Sequence, residues 1–189
     1  MNFLEERIAK DGIVKEGNVL KVDSFLNHQM DIALFEQMGE EFARRFAGKP
    51  INKILTIEAS GIGIASVVAR SFNCCPVVFA KKKKALNMSE AYIEKEKSYT
   101  RDEYYDVSVA REFINKDDQI LIVDDFLANG EALNSLVGIC RQANATILGA
   151  AVVVCKIYQP GLKRIENMGI HVECLAKVKS LENNTIEFE

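Results

Sequence analysis

Residues 120–130 read ILIVDDFLANG: four apolar residues, two adjacent aspartates, two more apolar residues and then Ala-Asn-Gly. A short unbroken Ile/Leu/Val run is how a strand buried on both faces looks. Read as a strand, it places Asp124 and Asp125 where its carboxyl end opens to solvent, with Phe126 and Leu127 turning the chain back. Ala128, Asn129, Gly130, Glu131 and Ala132 then lead into a helix over EALNSLVGICRQA (131–143), with Ala-Asn-Ala as its stop. Two neighbouring carboxylates repel each other and each costs desolvation, so the pair needs a reason. One reason is structural, because acids ahead of a helix satisfy its first amides. The other is chemical. A glycine-containing strand-to-helix turn presents unpaired N–H groups at the positive end of a helix, which suits a phosphate. Carboxylates just behind it accept hydrogen bonds from vicinal hydroxyls.

The same pattern recurs on both sides of this stretch. KILTIEASG (53–61), PVVFA (76–80) and TILGAAVVVC (146–155) are further buried-strand runs, and HVECLAKV (171–178) is another candidate. Between them, IALFEQMGEEFARRF (32–46) sets Ile32, Phe35, Met38, Phe42 and Phe46 at three- and four-residue steps, as one helix face requires. GIASVVARSF (63–72) repeats that spacing, and GLKRIENMG (161–169) follows a proline as a shorter helix. Strand–helix–strand alternation predicts an α/β fold with a mainly parallel sheet, which binds ligands at the carboxyl ends of its strands. Residues 81–108 break the rhythm, being polar and charged with tyrosines at 92, 99, 104 and 105. They read as a long excursion from the sheet edge, either a lid over the site or a solvated hairpin.

Two more turns carry chemistry. In IEASGIG (57–63), Glu58, Ala59, Ser60 and Gly61 supply an acid, a hydroxyl and a flexible backbone at a strand's end. They make either a second anion-binding turn or a plain loop with a serine cap. In AKKKK (80–84), Lys81 is the first charge after an apolar run. It is positioned either to neutralise a polyphosphate or to sit on a solvated face. The chain has no GxxxxGK[ST] phosphate loop and no GxGxxG dinucleotide fingerprint.

The 189 residues suffice for one well-buried domain, and 48% hydrophobic with 27% charged residues is ordinary for a globular protein. A net charge of −3 speaks against nucleic acid as a partner. No apolar run approaches the roughly 18 residues of a membrane span, so no membrane partner is expected. MNFLEERIAKDG at the start is a charged amphipathic segment and not a signal peptide. Five cysteines without a CxxC pair read as reduced core thiols of a cytoplasmic protein. With His28 and His171 far apart, a zinc site is not expected.

The three turns together resemble the type I phosphoribosyltransferases, in which an apolar strand, two acids, a turn and a helix bind 5-phosphoribosyl-1-diphosphate. VLKVDSFLNHQMD (19–31), VDDFLANGEA (123–132), SFNCCPVVFAKK (71–82), YQPG (158–161) and KSLE (179–182) extend the likeness over nearly the whole chain. They resemble the xanthine-using branch of bacterial purine salvage. The resemblance implies that fold, a mainly parallel twisted sheet flanked by helices in a single domain over 1–189. A small hood would come largely from 1–31 and 156–189, and a flexible loop from 82–108. It implies transfer of phosphoribosyl to xanthine, with Mg²⁺ bound to the substrate, in a homodimer. Asp124 and Asp125 would then face the ribose hydroxyls as the catalytic pair, and Ala128, Asn129, Gly130, Glu131 and Ala132 would enclose the 5-phosphate. Glu58, Ala59, Ser60, Gly61 and Lys81 would meet the diphosphate, and Leu20, Asn27 and Lys156 the base. No protein metal ligand is implied.

One departure stands out. Many members of the family carry Thr or Ser in the phosphate turn, where this chain has Asn129 and Ala132. The xanthine-using branch resembles this chain in that respect. Two alternatives share the fold: an adenine-using transferase, and a regulator that binds phosphoribosyl diphosphate without catalysis. The hood stretch and Lys156 oppose the first. The second type adds a DNA-binding domain for which this chain has no room.

Overall fold

The computed structural model describes residues 1–82, 89–97 and 104–189. Each predicted apolar run is a strand: β3 (Lys53–Ile57), β4 (Val77–Lys82), β7 (Gln119–Leu127), β8 (Thr146–Lys156) and β9 (Val172–Ser180). Ahead of them come helix α1 (Phe3–Asp11), the hairpin β1 (Ile13–Lys15) and β2 (Val19–Lys21), a π-helical turn at Asp23–Asn27, and helix α2 (Ile32–Arg45). The other elements are α3 (Ser60–Val68), β5 (Ala91–Lys97), β6 (Tyr104–Ala110), α4 (Glu131–Gln142), α5 (Gly161–Glu166) and β10 (Glu187–Phe188).

Among the described residues eight strands form one sheet, in the order β10-β9-β8-β7-β3-β4-β6-β5. The central pairs β4–β3, β3–β7, β7–β8 and β8–β9 are parallel, and the strands added at either edge are antiparallel. Because the central strands alternate faces, they fill two cores at once. Ile54, Leu121, Val123 and Val153 pack with Phe35, Met38, Phe42 and Ile64 of α2 and α3. Leu55, Ile57, Ile120, Ile122 and Val152 pack on the other face with Leu133, Leu136, Val137 and Cys140 of α4. Each fully buried side chain of this size contributes roughly 1.5–3 kcal/mol. The N-terminal segment docks on the far edge, where the Asn2 side-chain amide donates to the Leu175 carbonyl at 2.7 Å.

Three expectations change. First, the described parts of 81–108 join the sheet: β5 and β6 pair antiparallel, and β6 extends the sheet by pairing with Lys81 and Lys82 of β4. One face of the β5–β6 pair is buried, through Tyr92, Glu96, Val107 and Val109, and two polar members hid that alternation. The remainder of the expected flexible loop, 83–88 and 98–103, lies outside the described residues. Second, β7 does not end at the aspartates but runs on to Leu127. Third, only Cys140, Cys155 and Cys174 are core thiols, while Cys74 is exposed and Cys75 half-buried on the turn after α3.

Candidate active site

The chain leaves β3 toward β4 on one side and leaves β7 toward β8 on the other. The boundary between β3 and β7 is therefore the point where strand order reverses, and a crevice opens there at the carboxyl ends. Its floor is set by register. The β3–β7 ladder stops at Leu55 opposite Ile122, so β7 continues past Val123 with pairing to β8 alone. Asp124 and Asp125 occupy that stretch, which has no neighbour on its β3 side.

The two acids differ sharply. Asp124 is only 4% exposed, and its Oδ1 accepts the Asp125 amide at 3.0 Å. Burial, reinforced by the adjacent Asp125 charge, pushes its carboxyl well above the usual carboxylate range. Asp125 is partly exposed; its Oδ1 accepts the Phe126 amide at 2.8 Å, and its Oδ2 accepts the Ser60 hydroxyl at 2.6 Å. Asp124 thus does not face water, contrary to the reading of the sequence. Neither acid caps a helix: α4 is preceded by Gly130, whose φ of 83° is left-handed, and no side chain caps it. Ser60 is likewise no cap, since Ala59 precedes α3 and the Ser60 hydroxyl is spent on Asp125.

The turn at Glu58–Gly61 fits tightly over the acids. A Cβ on Gly61 would fall 2.2 Å from Thr56 Oγ1 and 3.6 Å from Asp124 Oδ1, so a side chain there has no room. Thr56 Oγ1 is itself buried and finds no hydrogen-bond partner among the described residues. Glu58 Oε1 accepts the Lys82 amide, which ties this turn to the end of β4. Lys82 is also the lysine whose charge opposes the upward shift of Asp124, and its Nζ lies 5.5 Å from the Tyr105 ring centre. Lys81, one residue earlier, is exposed and lines a groove of about 530 Å³ with Val77, Phe79, Glu90, Val109 and Phe113. No residue of the acid pair or the phosphate turn lines that groove. Successive strand residues face opposite ways: the sequence points to Lys81 as the first charge after the apolar run, whereas Lys82 is the lysine whose charge acts on Asp124.

The turn at Ala128–Gly130 leads straight into α4, leaving the first amides of that helix available to an anion. Its outer side packs on the start of α5. The Gly161 amide donates to the Ala128 carbonyl at 2.9 Å, and Arg164 reaches both the Asn129 carbonyl and the Glu131 carboxylate. Glu131 and Ala132 are half-buried in the first turn of α4. Arg164 did not stand out in the sequence, and Gly161 did so only as the end of YQPG (158–161), because what matters is their approach across the fold.

At the end of β8, next to β7, Lys156 is half-buried, and burial lowers its pKa. Its Nζ lies 5.9 Å from the ring centre of Phe126, the residue after the acid pair. Leu20 is buried in the same core that Phe126 packs against, whereas Asn27 is exposed at the end of the π-helical turn. The segment after that turn reaches α3, where Met30 packs so closely on Gly63 that a Cβ there would lie 2.5 Å from its sulfur. The segment that carries Met30 therefore sits beside α3, which the Ser60 turn begins. Acid pair, both turns, Lys82 and Lys156 gather at one end of the sheet, while Lys81 points into the separate groove.

A sheet with two turns at its switch point and a paired acid between them gathers anion donors and hydroxyl acceptors in one crevice. A profile of the phosphoribosyl transferase domain matches residues 22–179, and the chain belongs to that family. It is 52% identical over 190 residues, covering all of both chains, to Xanthine phosphoribosyltransferase 2 of Clostridium botulinum. It is 50% identical to Xanthine phosphoribosyltransferase of Bifidobacterium adolescentis, covering all of this chain and 99% of that one. Among solved structures, adenine phosphoribosyltransferase of Giardia lamblia superposes with a TM-score of 0.79 at 16% identity, over 95% of this chain and 100% of its own. That of Rhodothermus marinus gives 0.76 at 18% identity, over 93% and 98%. At such identities the superpositions establish the fold alone.

Proposed function

We propose that this chain transfers the 5-phosphoribosyl group of 5-phosphoribosyl-1-diphosphate to xanthine, giving xanthosine 5′-monophosphate and diphosphate. Family membership and the shared name of full-length relatives support the reaction and the base. The observation that carries the site is the Ser60–Asp125 hydrogen bond, which ties the 58–61 turn to the acid pair that precedes the 128–132 turn. A sugar bisected by the crevice has its 5-phosphate on the amides of 128–132 and its diphosphate on 58–61.

In the reaction a bond forms between a ring nitrogen of xanthine and the ribose anomeric carbon, the bond to the diphosphate oxygen breaks, and the nitrogen's proton is lost. Displacement of this kind passes through an oxocarbenium-like state. Asp125 accepts the ribose hydroxyls and offers negative charge to the growing cation, with Asp124 fixing the Asp125 amide beneath it. Lys156 is suited to a base with carbonyl oxygens, because an ammonium only donates, and Phe126 beside it supplies an apolar wall. Lys82 adds positive charge on the diphosphate side.

The donor set fits magnesium. Among the described residues no group of three or more His, Cys, Asp or Glu side chains gathers as a cage. Mg²⁺ takes one or two carboxylates and completes its shell with substrate oxygens and water, and Asp125 is the partly exposed carboxylate placed for that. When bound, the ion neutralises charge on the departing diphosphate. We further assign the chain to the cytoplasm, as its cysteine usage suggests, and to a homodimer, as the resemblance implies.

The test is turnover with Mg²⁺, phosphoribosyl diphosphate and each of xanthine, guanine, hypoxanthine and adenine, with the nucleotides separated afterwards. Xanthosine monophosphate should form fastest. Fastest turnover with adenine, or none with any base, would overturn the proposal.

A further inference from the structure

The phosphate turn is held from outside by an element to which no role is yet assigned. For backbone amides to converge on an anion, the carbonyls of the same turn must point away from it and find partners there. Here the Ala128 carbonyl accepts the Gly161 amide at 2.9 Å, the Asn129 carbonyl faces Arg164 at 3.5 Å, and the Gly130 carbonyl accepts Asn134 within α4. Two of the three partners come from the first residues of α5. The packing tolerates no side chain on either glycine. A Cβ on Gly161 would lie 2.3 Å from the Ala128 carbonyl oxygen and 2.8 Å from the Gly130 amide, both backbone atoms that cannot swing aside. A Cβ on Gly130 would lie 3.1 Å from Gly161 Cα, and its φ of 83° already excludes most residues.

Charge gives the second half of the argument. Glu131 stands in the first turn of α4, inside the stretch read as enclosing the 5-phosphate. A free carboxylate there would repel the phosphate and compete with it for the same amides. Arg164 reaches that carboxylate and the Asn129 carbonyl through the same Nη1, whose two N–H groups can serve both.

We propose that Gly161 and Arg164 are positioning residues for the phosphate turn: Gly161 lets α5 seat against it, and Arg164 neutralises Glu131 and orients the Asn129 carbonyl outward. This rests on the reading of 128–132 as the 5-phosphate site. The effect belongs to substrate binding and not to the chemical step, so it should fall on KM for phosphoribosyl diphosphate.

The experiment compares wild type with R164Q, R164K, G161A and the pair R164Q/E131Q, by steady-state kinetics and by calorimetric titration with ribose 5-phosphate. R164Q should raise KM for phosphoribosyl diphosphate and Kd for ribose 5-phosphate about tenfold, a loss of about 1.4 kcal/mol, with kcat nearly unchanged. R164K should recover part of that loss. Removing the unmatched carboxylate in R164Q/E131Q should recover most of it, a coupling that a merely structural arginine would not produce. G161A should bind both ligands more weakly than R164Q. Unchanged KM and Kd in R164Q, or no rescue by E131Q, would overturn the brace while leaving the phosphate site in place. Failure of the wild type to bind ribose 5-phosphate would overturn the site reading and the proposal with it.

Discussion

Asp124 and Asp125 are neighbours in sequence with opposite environments, and the difference can be measured. Asp124 is buried and lies beside another carboxylate, so its native pKa is raised above the unfolded value of about 3.9. Above that value the native state holds a proton that the unfolded chain has lost. The contribution of Asp124 to stability is therefore fully present below pH ~4 and is lost as pH rises through the native pKa. Asp124→Asn removes this liability. Its melting temperature at pH 7 should exceed that of wild type, and the fall in stability from pH 4 to pH 8 should flatten. Turnover should fall only modestly, because the asparagine Oδ1 can still accept the Asp125 amide. Thermal melts across that pH range, paired with the turnover assay, check both halves; a variant that melts lower at pH 7 would show that Asp124 is held as a stabilising anion. The sequence displayed the acid pair openly, but not the burial of its first member. That burial follows from where the β3–β7 ladder stops and from Gly61 closing over Asp124, two facts of register and approach.

At the scale of elements, the strands buried on both faces were legible because their side chains have no solvent face to disguise them. β3, β4, β7, β8 and β9 all stand where the apolar runs put them. The burial of one face of the β5–β6 pair was not legible, since the buried face of an edge strand can carry charge when a helix supplies partners. Here Gln142, at the end of α4, does so. Its Nε2 donates to the Ile93 carbonyl at 2.8 Å and to Glu94 at 2.6 Å, and its Oε1 accepts the Ile93 amide at 3.2 Å. One side-chain amide thus imitates a neighbouring strand and latches the β5–β6 pair to the helix that carries the phosphate turn. Gln142→Ala should cost about 1–2 kcal/mol, since water can replace these exposed bonds only in part. The accompanying signature is local: hydrogen exchange at the Ile93 amide should accelerate far more than exchange in β7. Uniform acceleration across the sheet would mean that Gln142 contributes only to global stability.

At the scale of the whole molecule, an apolar surface stands out among the described residues at one end of the sheet. The helices α2 and α3 cover one face of the sheet's middle, but the β4–β6 end of the sheet keeps an apolar groove of about 530 Å³. Phe79 is 39% and Phe113 52% exposed there, more apolar area than an isolated protomer gains by showing to water. The homodimer proposed above requires a self-complementary face, in which each residue meets its counterpart's neighbour about a two-fold axis. Lys81 and Glu90 both line this groove, so a two-fold pairing can set the lysine of one protomer against the glutamate of the other. The wild-type chain should then elute with twice the 21.1 kDa protomer mass. Phe113→Glu should return it to the protomer mass, because a charge buried at the centre of an apolar contact has no partner. Phe113 is half-exposed in the protomer, so the substitution should change its folding stability by no more than about 0.5 kcal/mol. Light scattering on both proteins decides the matter. A wild type at protomer mass would remove the dimer, and a Phe113→Glu variant at twice that mass would move the interface to another face of the sheet.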